Sequence, residues 1–152
     1  MQLRSLLLTA ALGLAGMTAV PAQAETSIQI SLKDRYLTLL DDGRVIGKYP
    51  VAIGAPESPT PAYSYAVTKM DPQPTHHKKS KLVAPCPSNP VSAGDKAYTK
   101  IGTGEYPIHG TALPNWVKLR GAVNLGCIRK LNDDVIQVYN RFKIGTPVVV
   151  TN

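Results

Sequence analysis

The sequence contains no second apolar run of membrane length beyond Leu6–Val20, no internal repeat and no cofactor-binding motif in its 152 residues. It has two cysteines and three histidines. The adjacent pair His76-His77 has no Cys or carboxylate at ligand spacing, so it reads as a solvated loop pair and no metal site is expected. Acid is scarce: ten Asp and Glu stand against seventeen Lys and Arg, for a net charge of +7. That balance favours anionic partners. Nucleic acid is not among them, because no helix carries a basic face interleaved with aromatics. The run Lys78-Lys79-Ser80-Lys81 reads as a solvated loop.

What is present begins with an export pattern. Arg4 precedes the apolar stretch from Leu6 to Val20, which is short for a bilayer span, and Ala22-Gln23-Ala24 has the A-x-A form of a cleavage site. The expectation is a leader over residues 1–24 and one mature domain over 25–152, exported and without a membrane span after cleavage. In an oxidising compartment an even cysteine count favours a disulfide. The contexts of Cys86, in Pro85-Cys86-Pro87, and of Cys127, in a glycine turn, argue against a permanent bridge.

The domain reads as mostly β. Ile28, Ile30 and Leu32 alternate with polar residues, and Tyr36–Leu40 leads to the turn signal Asp41-Asp42-Gly43. Val45–Ile53 returns, so a hairpin is expected to open the domain. Tyr63, Tyr65 and Val67 alternate again, and Pro147–Thr151 forms a β-branched closing strand. Residues 71–96, rich in proline, read as a long loop of the kind that covers a cleft. One helix is expected near 132–143: Asn132 as its cap, Asp133 and Asp134 at its positive end, and Val135, Val138, Tyr139 and Phe142 on its apolar face. Lys143 then suits its end and Gly145 stops it. The sum is a β-sandwich or partly closed barrel of mixed sheets with one packed helix.

The chemistry concentrates in two blocks, Tyr106-Pro107-Ile108-His109-Gly110-Thr111 and Asn124-Leu125-Gly126-Cys127-Ile128-Arg129. A thiol becomes a good nucleophile on deprotonation, and a neighbouring imidazole is a common means of achieving it. Gly126 permits a tight bend that turns backbone N–H groups toward a reacting carbonyl. Arg129 is a fixed cation suited to a carboxylate. Together these residues suggest acyl transfer through a cysteine thioester.

The two blocks resemble the signature of the L,D-transpeptidase catalytic domain (YkuD-like) family, in which Ile-His-Gly-Thr precedes S-x-G-C-[IV]-R. Weaker resemblances cover most of the domain: Asp34-Arg35-Tyr36-Leu37, Asp42-Gly43, Pro50-Val51-Ala52-Ile53-Gly54, Thr60-Pro61, Asn89-Pro90 and Gly145-Thr146-Pro147-Val148. The resemblance implies an L,D-transpeptidase-like fold and a periplasmic or wall-facing enzyme acting on peptidoglycan stem peptides, without metal or organic cofactor. It implies Cys127 as nucleophile and His109 as base, with Gly110 orienting the imidazole through its carbonyl. The N–H groups of Leu125, Gly126 and Cys127 are implied as the oxyanion hole. Arg129, Asn124, Thr111, Trp116 and Tyr106 are the candidate substrate-binding residues. The resemblance implies as acceptor of the stem peptide an amine of a second stem or of a wall-anchored lipoprotein.

Three positions depart from the pattern. Asn124 stands at the usual serine, Tyr63 at a common glycine and Lys130 at a usually apolar residue. The same Cys/His site is compatible with an L,D-carboxypeptidase or a lipoprotein-releasing hydrolase, and an altered serine position with a non-catalytic wall-binding homologue.

Overall fold

The computed structural model describes residues 25–72, 97–103 and 106–152. The expected leader, His76-His77, the Lys78–Lys81 run, Cys86 and Asn89-Pro90 lie outside the described residues. The chain opens with β1 (Thr26–Ser31), β2 (Tyr36–Asp41) and β3 (Arg44–Pro50), an antiparallel meander. Alternation buries Ile28, Ile30, Leu37 and Leu39 on one side. Asp42 and Gly43 both take positive φ, +46° and +74°, which makes the two-residue Asp-Gly connection a type I′ turn matched to the sheet twist.

Short segments follow: β4 (Ile53–Gly54), β5 (Ser64–Asp71), β6 (Tyr98–Ile101), β7 (Ile108–His109), α1 (Pro114–Lys118), β8 (Ala122–Asn124) and β9 (Ile128–Arg129). Then come α2 (Asn132–Tyr139) and β10 (Pro147–Thr151). Eight strands form one mixed sheet in the order β3-β2-β1-β10-β5-β6-β7-β9, and β4 pairs with β8 apart from it. The closing strand β10 lies between β1, which it joins in parallel, and β5, which it joins antiparallel. The fold is therefore mostly β and mixed, a curled half-barrel as expected.

An aliphatic core fills the curl: Ile28, Ile30, Leu37, Val67, Ile101, Ile108, Ile128 and Val148 are all essentially inaccessible. Each such side chain contributes about 1.5–3 kcal/mol by leaving water. Val135 and Val138 of α2 add its apolar stripe, and Phe142 packs just beyond it.

The helix expectation needs correction in three respects. Among the described residues there are two helices, because Pro114 fits a first helical turn and supports the five-residue α1. In α2 the cap position is Leu131, so Asn132 is the first helical residue rather than the cap. The helix also ends at Tyr139, which leaves Lys143 in the following turn, its N–H donated to Thr146 Oγ1 at 3.0 Å. Gly145 sits there with φ +91°.

One clasp sets the approach to the site. Arg35 and Arg120 both have positive φ, and their guanidinium groups cross between the two segments. Arg35 Nη1 donates to the Arg120 carbonyl and Arg120 Nη1 to the Asp34 carbonyl. The start of β2 is thereby tied to the segment that leads from α1 into β8.

Candidate active site

His109 ends β7, and β7 runs parallel to β9 with Ile108 opposite Ile128 and His109 opposite Arg129. Side chains alternate along a strand, so Arg129 and Cys127, two residues apart, share the side of the ladder that His109 occupies. Ile128 and Lys130 take the other side, toward the core. The pairing is secured by Ile128 N–H donating to Pro107 O and Lys130 N–H to His109 O, both at 2.9 Å.

His109 is only 1% exposed. Its Nδ1 lies 2.6 Å from the carbonyl of Gly110. A carbonyl only accepts, so Nδ1 carries the hydrogen and Nε2 is the basic nitrogen. The orienting role expected of Gly110 thus has its geometry. Tyr98 stacks obliquely beside the imidazole, with ring centroids 6.3 Å apart, and burial raises its hydroxyl above the ordinary tyrosine range.

The turn before Cys127 is held from three directions. Gly126 has φ +103°, and a Cβ there would meet the Tyr106 ring at 2.8 Å. Gly54 backs onto it so closely that a Cβ on Gly54 would lie 2.8 Å from Gly126 Cα. Both positions therefore require glycine. The buried Thr60 hydroxyl bridges the two, accepting from Gly54 N–H at 3.0 Å and donating to Gly126 O at 2.8 Å. Finally, Asn124 Oδ1 accepts the Gly126 N–H at 2.9 Å. Thr60 and Gly54 were visible in the sequence only as parts of the Thr-Pro and Ile-Gly steps. The signal that singles them out is the pairing of a buried hydroxyl with two glycines.

Among the expected substrate-binding residues, Arg129 and Trp116 come together, the guanidinium carbon 4.9 Å from the indole ring centre. Tyr106 packs against the turn at Gly126 that precedes Cys127. Thr111 is buried, and its Oγ1 accepts the Leu113 N–H at 3.0 Å at the entry to α1. Leu125 is half-buried. Tyr63 is exposed ahead of β5.

The cysteine expectation is corrected. Cys127 is disulfide-bonded and 1% exposed, and the sequence holds one other cysteine, Cys86. A proline-rich context says nothing about the Cα separation and Cβ directions on which closing a bridge depends.

Lys130 is the unexpected neighbour. It is fully buried, its Nζ 3.5 Å from the Tyr49 ring centre and without a hydrogen-bond partner. Desolvation lowers its pKa to about 7 against the opposing attraction of Asp134. Among the described residues no three His, Cys, Asp or Glu side chains gather as a metal site, and no helix is long and apolar enough to cross a membrane.

The chain belongs to the L,D-transpeptidase catalytic domain family (YkuD), whose family model matches residues 25–150. YqjB of Bacillus subtilis is 30% identical over 134 residues, covering 87% of this chain and 74% of its own. YkuD of Bacillus licheniformis is 29% identical, covering 82% and 64%. The fold matches the L,D-transpeptidase of Mycobacterium smegmatis with a TM-score of 0.68 at 22% identity, covering 85% of this chain and 59% of that one. It matches L,D-transpeptidase 3 of Mycobacterium tuberculosis, solved with a faropenem-derived adduct, with a TM-score of 0.69 at 23% identity, covering 85% and 61%. The chain therefore spans about three-fifths of those solved structures.

Proposed function

We propose that the protein is a peptidoglycan L,D-transpeptidase that transfers stem peptides through a thioester on Cys127. The observation that carries this reading is the His109 tautomer: Nδ1 is committed to the Gly110 carbonyl, which leaves Nε2 basic on the strand paired with the cysteine segment.

In this reading His109 Nε2 takes the thiol proton and Cys127 Sγ bonds to the carbonyl carbon of the third stem residue. The C=O π pair moves onto oxygen. Collapse restores the carbonyl, breaks the C–N bond and expels the terminal D-alanine, whose nitrogen takes the proton from His109. An acceptor amine then attacks the thioester, gives a proton to His109 and releases the sulfur, which recovers it. One amide replaces another, so the exchange is near neutral in free energy and needs no outside energy source. Arg129, its plane held on Trp116, offers its cation to a stem carboxylate.

The reading includes export behind a cleaved 1–24 leader and work at the cell wall, with a second stem or a wall-anchored lipoprotein supplying the amine. Because Cys127 is disulfide-bonded, the thiol must first be freed. A dithiol reductant supplies the two electrons and closes to its own disulfide.

Reduced protein incubated with tetrapeptide-bearing peptidoglycan is expected to yield new cross-links, or stem exchange with free D-amino acids, by chromatography and mass spectrometry. A carbapenem is expected to acylate the reduced wild type and leave Cys127→Ala unmodified. Tripeptide release without transfer selects the carboxypeptidase instead. Wall binding without any product, unchanged in Cys127→Ala, selects the non-catalytic homologue.

A further inference from the structure

Asn124 has a half-satisfied carboxamide. The residue is 6% exposed, and its Oδ1 accepts the Gly126 N–H. That bond settles which amide atom is which, because a backbone N–H can only face the oxygen. Nδ2, on the same carbon, is buried with no hydrogen-bond partner. A buried donor left unpaired is costly, and native proteins keep few of them. Thr99 Oγ1 on β6 and Lys130 Nζ are also buried and unpartnered. Neither lies in the turn that precedes the nucleophile, whereas Asn124 is bonded to the residue directly before Cys127.

The same hydrogen bond alters the expected oxyanion hole. Of the N–H groups of Leu125, Gly126 and Cys127, that of Gly126 is already given to Oδ1. We infer that Asn124 Nδ2 is the donor that takes its place, stabilising the negative oxygen formed when Cys127 attacks the stem carbonyl. The inference rests on the acyl-transfer reading above. A fixed carboxamide aimed at a developing oxyanion needs no reorganisation as charge builds, and removing one such donor typically slows acyl transfer about 10²–10³-fold. Asn124 would thus perform two tasks with two atoms: its oxygen holds the turn and its nitrogen meets the substrate oxygen. The usual serine combines acceptor and donor in a single hydroxyl.

The test compares reduced wild type, Asn124→Ala and Asn124→Asp. Asp keeps the acceptor for Gly126 N–H and loses the donor. Two rates are read by intact mass: acylation by a carbapenem, which passes through an oxyanion, and alkylation by iodoacetamide, which does not. Acylation is expected to fall roughly 10²–10³-fold in both variants, with alkylation of Cys127 within a few-fold of wild type. If Asp restores acylation to near the wild-type rate, the amide serves only the turn and the inference is overturned. Equal losses in both reactions overturn it too, since the damage is then to the thiol. A wild type that alkylates but never acylates removes the acyl-transfer reading itself, and this inference with it.

Discussion

The two sides of the segment from Cys127 to Lys130 treat polar groups in opposite ways. On the side of Cys127 and Arg129, a web of hydrogen bonds runs through the neighbouring polar groups, Asn124 Nδ2 excepted: Thr60 to Gly54 and Gly126, Asn124 Oδ1 to Gly126, His109 to Gly110. On the side of Ile128 and Lys130, an ammonium group sits over the Tyr49 ring in an aliphatic core with no hydrogen-bond partner. Strand alternation alone separates these environments. The web fixes the shape of the turn before Cys127, so under the proposed function changes there should cost both stability and reactivity. Lys130 is a burden on the fold and lies on the opposite side of the ladder from His109 and Arg129, so relieving it should change stability alone.

Gly126→Ala strikes the web hardest. It forces a side chain into φ +103° and against the Tyr106 ring. The expected cost is about 2–4 kcal/mol in denaturant titration, with carbapenem acylation lost. Thr60→Val keeps the shape and removes the hydroxyl, stranding the Gly54 N–H and the Gly126 carbonyl. A loss of about 2 kcal/mol is expected, together with slower acylation of the reduced enzyme. If stability falls and acylation does not, the web is structural only and the contrast between the two sides fails.

Lys130→Met should act in the other direction, raising stability by about 1–3 kcal/mol at pH 6, with acylation unchanged. The pH dependence gives the sharper reading. Lys130 has a folded pKa of about 7 against 10.5 for the free side chain. Between those values the unfolded chain holds the extra proton, so the wild type gains stability as pH rises from 7 toward 10.5 and loses it as pH falls to 7. The advantage of the methionine variant should therefore shrink over the same interval. A difference independent of pH between 6 and 10 would show that the ammonium is not the source.

Much of this was legible in the residues. The Asp42-Gly43 turn, the alternation of Ile28 and Ile30, and the β-branched closing strand each carry a local signal strong enough to survive into the fold. The His109 and Cys127 blocks were equally plain. Helix α1 escaped because five residues give no amphipathic period, although Pro114 at its start was a usable sign. The two-residue strands β4, β7 and β9 have no propensity signal of their own and exist because neighbours pair with them. The disulfide at Cys127 and the half-used amide of Asn124 depend on distances between segments, which composition and spacing do not encode. Lys130 was noticed as a departure, but only its position opposite the Arg129 side of β9 reveals that it is buried.

The place of β10 has a consequence for how the molecule comes together. Its partners are β1 and β5, so it is the seam that joins the opening meander to the strands carrying the histidine and the cysteine. Until Pro147–Thr151 is available, the chain can form two partial sheets but not one. The long sequence separation between β1 and β10 makes their pairing a non-local contact, of the kind that slows folding. The two halves of the sheet that carries His109 are registered to one another by β10, which holds the meander and the β5–β9 strands in a single frame.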